Sequence, residues 1–118
     1  MNRQSICDEA VFELLKVELG AMDATEVLQA FLADTGRKMT LLACAPLDRT
    51  VVKREAHSIK SSSATFGFAR LSTHALELET GALSMSQLRL KNAVAELERI
   101  FRDTSVLARS LAEPKDGG

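Results

Sequence analysis

Apolar residues recur every three or four positions through most of the 118-residue chain, which is the spacing of a helix with one buried face. Leu and Ala, both strong helix formers, are abundant, whereas Pro occurs only twice. Trp and Tyr, which are frequent in β-sheets, are absent. The pattern therefore predicts an all-α protein of one domain, long enough to bury a core without disulfides or a structural metal.

The first predicted helix, helix A, begins near Ser5 or Asp8 and ends at Gly20, a residue type common just after a helix. Phe12 lies at the edge of its apolar face, and a place in the core is favoured over one at a docking rim. The residues predicted to face inward are Val11, Leu14, Leu15 and Leu19.

Helix B is predicted to start at a capping box, residues 23–26, and to end at Pro46. Gly36 falls opposite the apolar stripe, where it weakens the helix by up to ~1 kcal/mol relative to Ala without ending it. Leu32 lies at an edge, so its role stays open. The stripe comprises Val27, Leu28, Phe31, Thr35, Met39 and Leu42.

Helix C is predicted to start at an N-cap on Asp48 and to stop at Gly67. Phe68 follows that stop, and its orientation stays open. Helix D is short, from about Arg70 to Thr80, and its inward residues are Leu71, Ala75 and Leu78.

Helix E, the longest, is predicted to begin at a second capping box made by Ser84 and Gln87. Its predicted buried stripe comprises Leu90, Ala93, Val94, Leu97, Ile100, Phe101, Leu107, Ala108 and Leu111. Because the links between helices B to E are short, neighbouring helices should run antiparallel. We expect an up-down-up-down four-helix bundle over residues 1–112, with helix A as an additional short N-terminal helix, and a disordered tail over 113–118.

Charge and cysteine content exclude several classes of function. A formal net charge of −1 argues against general nucleic-acid binding, which needs a strongly basic face. Cys7 and Cys44 lack metal-binding spacing and are expected to be reduced core residues. No stretch is long and apolar enough for a signal peptide or a membrane span. We expect a cytoplasmic, monomeric protein, and the initial Met and short tail favour a free-standing one.

His57 is predicted to lie on the outer face of helix C and to point to water. It lies roughly 140° from the centre of the buried stripe of that helix at about 100° per residue. Its outer neighbours include three cations, Lys53, Arg54 and Lys60, which would attract a doubly charged anion. Ser61 and Ala64 are small and leave room for a group to approach the ring. The stripe itself comprises Val52, Ala56, Ile59, Ser63 and Phe66.

From Ala56 to Glu79 the chain resembles histidine-containing phosphotransfer (HPt) domains. The resemblance is carried by Ala56, His57, Ile59, Lys60, Ser62, Ser63, Gly67, Leu71, Ala75, Leu78 and Glu79. The departure is Ser61, where the family most often has Gly. Ser is still small, so access to the ring is narrowed and not closed.

The resemblance implies a phosphorelay intermediate. His57 would carry the phosphoryl group, Lys60 would support its charge, and Lys53 and Arg54 are candidates for contacts with the phosphate or a partner. The donor and acceptor would be the aspartate of response-regulator receiver domains, or a hybrid histidine kinase. The sequence has no nucleotide-binding motif and no acidic cluster for Mg²⁺. The chain would therefore be a phosphocarrier and not an enzyme, with no cofactor of its own and Mg²⁺ on the receiver.

Two rival interpretations remain open. His74 and Glu77 form a His-x-x-Glu pair, but a metal site in a bundle needs more converging ligands, so a structural histidine is favoured there. The chain could also be a helical adaptor that binds signalling partners without being phosphorylated. The retention of His57 and Lys60 argues against an adaptor.

Overall fold

Five α-helices account for most of the residues that the computed structural model describes, 6–44 and 46–112. They are α1 (Glu9–Leu19), α2 (Ala21–Ala43), α3 (Arg49–Thr65), α4 (Ala69–Gly81) and α5 (Gln87–Ala112). No strand occurs within these two ranges. The predicted all-α class is confirmed. The predicted tail, and Ser5 as a start of helix A, lie outside the described residues.

Four of the helices close into a ring. Helix α2 packs on α3, α3 on α4, α4 on α5, and α5 returns to α2, while α1 packs against α2. This arrangement is the predicted four-helix bundle with an additional N-terminal helix. Across the described ranges, no helix is long and apolar enough to cross a membrane.

Two of the predicted helix starts are confirmed by their caps. The Asp8 carboxylate accepts a hydrogen bond from the Ala10 amide at 3.1 Å, and α1 begins at the next residue. The Asp48 carboxylate accepts from the Thr50 amide at 2.9 Å at the start of α3. Each carboxylate satisfies an amide that has no partner inside the helix.

The two predicted capping boxes are wrong. Helix α2 begins at Ala21, before the predicted box, because Gly20 adopts a φ of 89° that lets the chain turn directly from one helix into the next. At the start of α5 the capping hydroxyl belongs to Ser86, which accepts from the Arg89 amide at 3.1 Å. The Ser84 hydroxyl instead donates back to the Gly81 carbonyl at 3.3 Å.

The predicted inward face of α1 is rotated from the observed one. Phe12 is fully buried, whereas Leu14 is 61% exposed and Leu19 is also exposed. Helix α1 covers one end of the bundle and needs only a narrow buried strip, which centres on Phe12 with Leu15 half-buried beside it. The core placement of Phe12 is confirmed, and the placements of Leu14 and Leu19 are wrong.

Two further stripe predictions are wrong. Val27 and Leu107 are exposed, although the rest of the stripe predicted for α2 is buried. In α5 the place of Leu107 in the core is taken by Thr104 and Ser105, whose hydroxyls donate to carbonyls one turn earlier at 2.7 and 2.8 Å. These internal bonds let a polar side chain sit in the core without losing a hydrogen bond.

Phe68, whose orientation the sequence did not determine, packs with two other phenylalanines in the core. The rings of Phe31 and Phe66 lie 5.0 Å apart, and those of Phe31 and Phe68 lie 5.4 Å apart. Such separations are typical of favourable aromatic contacts. Phe68 is fully buried, so the turn between α3 and α4 is anchored on both sides of Gly67.

Gly67 ends α3 as predicted and also holds α1 in place. Its φ of 77° lies in the left-handed region, and its carbonyl accepts from the Asp8 amide at 3.0 Å. A Cβ at this position would lie 2.8 Å from Cγ2 of Val11, which is too close for any side chain. Glycine is therefore required here both by its conformation and by the approach of α1.

The cysteine prediction is half right. Cys7 is half-buried and packs against the core, and burial, followed by the charges of Glu9 and Asp8, raises the pKa of its thiol to about 11. Cys44 is exposed. It is the C-cap residue of α2, beyond Leu42, the last buried residue of that helix. The expectation of a core position is therefore wrong for Cys44.

Two glycine substitutions should have opposite effects on stability. Gly67→Ala should lower the free energy of unfolding by about 2–4 kcal/mol, through left-handed strain and the clash with Val11. Gly36→Ala is the matched control, because its Cβ would meet nothing closer than the Phe101 ring at 4.0 Å. It should stabilise the helix by up to ~1 kcal/mol. Urea unfolding measures both, and a Gly67→Ala protein as stable as wild type would contradict the close packing.

Candidate functional site

His57 stands on the outer side of α3, with 61% of its side chain exposed. Val52, Ala56 and Ile59 lie on the opposite side of the same helix and are fully buried. The prediction that this histidine points to water is confirmed. Its ring is open to a group that approaches from outside the bundle.

Glu79, on the neighbouring helix α4, fixes one side of this ring. His57 Nδ1 lies 2.7 Å from Glu79 Oε2, within hydrogen-bonding distance. An ionised carboxylate can only accept, so Nδ1 must carry the proton and donate it. The neutral ring then has its lone pair on Nε2, the nitrogen that does not contact Glu79.

Lys60 and Lys53 both reach Glu79 rather than surrounding the histidine. Lys60 Nζ lies 3.2 Å from Glu79 Oε1, and Lys53 Nζ donates to the Glu79 main-chain carbonyl at 3.3 Å. Arg54 pairs instead with Glu55, its sequence neighbour, at 3.0 Å. The predicted picture of a ring contacted mainly by cations is therefore incomplete, since the group bonded to it is an acid.

The contacts of Glu79 stabilise its ionised form. The hydrogen bond from His57 is the largest cause that lowers the pKa of Glu79 below its ordinary value, and the bond and charge of Lys60 act in the same direction. Partial burial opposes these effects without cancelling them. The carboxylate is therefore ionised at neutral pH and places a negative charge behind the ring.

The small residues near His57 occupy three different environments. Ser61 and Ala64 are exposed, as their predicted role in access requires. The Ser62 hydroxyl donates to the Ser58 carbonyl at 3.0 Å, one turn earlier in the same helix. Ser63 is fully buried, and its hydroxyl has no hydrogen-bond partner among the described residues.

A hydrogen bond between the two helices holds the site together. The Ser72 hydroxyl of α4 donates to the Lys60 carbonyl of α3 at 3.0 Å. It links the helix that carries His57 to the helix that carries Glu79. The rigid pairing of α3 with α4 keeps the histidine and its acid in register.

His74 has the surroundings of a structural histidine. It is half-buried, and its Nδ1 lies 3.3 Å from the Arg70 carbonyl. Glu77 and Glu96 line a hollow beside it. Within the described part of the chain, no three or more His, Cys, Asp or Glu residues are placed to hold a metal ion.

The sequence motif includes Glu79, but the sequence analysis did not predict that Glu79 contacts His57. The predicted antiparallel arrangement of helices C and D could have indicated this contact. If α3 and α4 are antiparallel around Gly67 and Phe68, residues equally distant from that turn lie side by side. His57 is ten residues before Gly67, which places it opposite the stretch 77–79 of α4.

Comparison with known proteins identifies the family. The family model described as Hpt domain matches residues 26–105, which is more than half of the chain. Neither the curated proteins nor the solved structures gave a match. The chain therefore belongs to the Hpt domain family.

Membership in this family defines the general class of activity. Hpt domains take part in histidine-containing phosphotransfer in two-component systems, where they are phosphocarriers rather than catalysts. They interact with receiver domains and histidine kinases. The exposed His57 is the histidine that the sequence resemblance assigns to this role.

The lowered pKa of Glu79 predicts a pH-dependent contribution to stability. Because the folded-state pKa is lowered, the contribution is present above the ordinary value of 4.5 and is lost as pH falls through the lowered value. The difference in unfolding free energy between wild type and Glu79→Gln should therefore shrink below pH 4.5. Glu77→Gln, which alters a neighbouring acid of α4, gives the background. A difference that is the same at every pH would rule out the charged contact.

Proposed function

We propose that His57 Nε2 accepts a phosphoryl group from the aspartyl phosphate of a receiver domain and passes it to another receiver. The observation that carries this proposal is the 2.7 Å contact between His57 Nδ1 and Glu79 in an otherwise exposed ring. It leaves the nucleophilic lone pair on the nitrogen that faces away from the acid. A carrier needs this combination of a fixed ring and an open nitrogen.

The transfer step is a displacement at phosphorus. The Nε2 lone pair forms the N–P bond while the bond from phosphorus to the aspartyl oxygen breaks, and the aspartate leaves as a carboxylate. The ring, still protonated at Nδ1, becomes a phosphorylated imidazolium with a positive charge. Glu79 lies where that charge develops, so its carboxylate stabilises the product as a buried Asp stabilises the imidazolium of a hydrolase triad.

Lys60 pairs with Glu79 before transfer and is placed to contact the phosphoryl group after it. It follows His57 by about one helical turn on the same face of α3, within reach of a phosphate on the ring. Its present ion pair with Glu79 at 3.2 Å keeps the ammonium beside the site before transfer. We propose that it turns toward the phosphate oxygens once they arrive, since an ammonium binds a dianion more strongly than a shared carboxylate.

The other cations are proposed to assist the encounter with a partner. Arg54 is exposed on the His57 side of α3, and Lys53 lies between that face and α4. Positive charge at the edge of a docking surface increases the association rate with an acidic partner. The receiver would supply Mg²⁺ and the other catalytic groups, because this sequence has no phosphate-binding loop. We propose that the exchange takes place in the cytoplasm.

An adaptor that is never phosphorylated is the second candidate. It would need a docking face but no particular arrangement around His57. The hydrogen-bonded ring, the ionised Glu79 and the nearby Lys60 have a direct use in phosphoryl transfer and none in passive docking. We therefore favour the phosphocarrier.

Transfer of label from a phosphorylated receiver tests the central residue. Wild type and His57→Gln are each mixed with a panel of ³²P-labelled receivers. Wild type should gain acid-labile label within minutes, and His57→Gln should gain none. His74→Gln is the matched control, because it removes the other histidine of the chain and should label like wild type. Label on His57→Gln would show that His57 is not the acceptor and would overturn the proposal, and no label on wild type with any receiver would favour the adaptor.

Lys60→Ala tests the proposed charge support. Loss of one charge-assisted contact should reduce the transfer rate, or the lifetime of the phosphoprotein, by about tenfold. Lys38→Ala is the control, because Lys38 makes a comparable ion pair with Asp34 on α2, away from the histidine. Circular dichroism should show both variants folded. Equal rates for Lys60→Ala and Lys38→Ala would remove Lys60 from the mechanism.

A further inference from the structure

An apolar groove lies on the side of the bundle that faces away from His57. It has a volume of about 600 Å³ and runs between the end of α2, the following link and the first half of α5. Because α2 and α5 pack together on the opposite side of the ring from α3 and α4, the groove is separate from the histidine site. Its apolar lining residues are Ala43, Pro46, Leu47, Leu88, Val94 and Ala95.

Two opposite charges stand along the α5 side of this groove. Lys91 and Glu98 both line it and are seven residues apart. Two turns of helix separate them by roughly 10.5 Å, which is too far for them to pair with each other. Across residues 6–44 and 46–112, neither side chain has an ion pair or hydrogen bond. An acid and a base are thus both unpaired at one apolar surface.

The residues between and beside these charges favour close approach of another helix. Ala95 is exposed and small, and it lies between Lys91 and Glu98 on α5. Leu88, 67% exposed, extends the apolar surface at the end of the groove next to Lys91. Leu88 alone would be ordinary, but with the groove lining it forms a contiguous apolar surface, and such surfaces mark interaction sites.

We propose that this groove binds a second copy of the same chain, with the two α5 helices antiparallel and crossing near Ala95. A two-fold axis at that point places Lys91 of each copy opposite Glu98 of the other. One surface then supplies both partners of two identical ion pairs. Such a self-complementary patch is what a symmetric dimer requires.

The charge pattern selects this occupant over an unrelated helix. A separate partner would have to carry an acid and a base at the matching spacing, whereas α5 itself already does. A dimer differs from the monomer expected from the sequence. That expectation rested only on the apolar stripes, which are sufficient for one bundle. The dimer would leave both His57 sites on its outer sides, each open to a receiver.

Charge exchange between two variants gives the sharpest test. Wild type, K91E, E98K and the double variant are compared by sedimentation velocity from 1 to 500 μM at low salt. Each single variant should dimerise about tenfold more weakly than wild type, because two attractive contacts become repulsive. The double variant should return to the wild-type dissociation constant, since the two charges have only changed places.

A mixture of the single variants provides an independent check on the geometry. K91E has two acids along the groove and E98K has two bases, so the two proteins should dimerise with each other more strongly than either does alone. Neither Lys91 nor Glu98 is buried, and circular dichroism should show both single variants and the double variant folded.

A wild type that stays monomeric at 500 μM would overturn the dimer. A dimer unaffected by the single charge changes would overturn the assignment to this groove. The proposal does not depend on phosphorylation of His57, because the readout is mass and not label. A dimer without phosphotransfer, or phosphotransfer without a dimer, would separate the two proposals.

Discussion

The left-handed turn at Gly67 determines which residues of α4 lie beside His57. With a φ of 77° and three phenylalanine rings packed around the turn, the chain reverses within two residues. The α1 helix is held against the same glycine through the Asp8 amide and Val11. Since both helices leave this point as rigid elements, a shift of one residue would rotate Glu79 away from the histidine by about 100°. The chemistry of the site thus depends on packing about three turns of helix away from it.

The pairing of an exposed histidine with a partly exposed acid explains how an open site can still be ordered. An exposed imidazole alone would rotate freely and exchange its proton between both nitrogens. Glu79, whose side chain is 18% exposed, removes that freedom on one side and leaves the other side to the solvent. Lys60 neutralises part of the acid without covering the ring. In the proposed transfer, attraction for the incoming phosphate and stabilisation of the imidazolium would therefore come from two neighbouring charges of opposite sign.

Much of the fold follows from the sequence because helical periodicity and end signals are local. Asp8, Asp48 and Gly67 acted as predicted, since each needs only its own helix or turn to do so. The failures needed tertiary information. The choice of Phe12 over Leu14 depends on which side of α1 meets α2, and the early start of α2 depends on the sharp turn that Gly20 allows. Thr104 and Ser105 could replace an apolar residue because their hydroxyls bond within the helix.

In the candidate site, too, the local features were predicted and the contacts between helices were not. The outward position of His57 follows from one helical wheel, and so does the exposure of Ser61 and Ala64. The contact with Glu79 joins residues that are 22 positions apart, so it depends on the register between two helices. Lys53 and Lys60 were expected at the ring because a wheel shows only the helix that carries them. It cannot show that Glu79 of α4 binds both, Lys60 through its carboxylate and Lys53 through its main-chain carbonyl.

The proposed transfer requires that Glu79 holds Nδ1, so that Nε2 is the atom that carries the phosphoryl group. Long-range ¹H–¹⁵N correlation spectra of the phosphorylated protein, with ³¹P couplings, distinguish the two nitrogens of His57 directly. We expect a single phosphoramidate at Nε2, with Nδ1 protonated. A phosphoryl group on Nδ1 would contradict this assignment, because the contact with Glu79 would then have to break for transfer to occur.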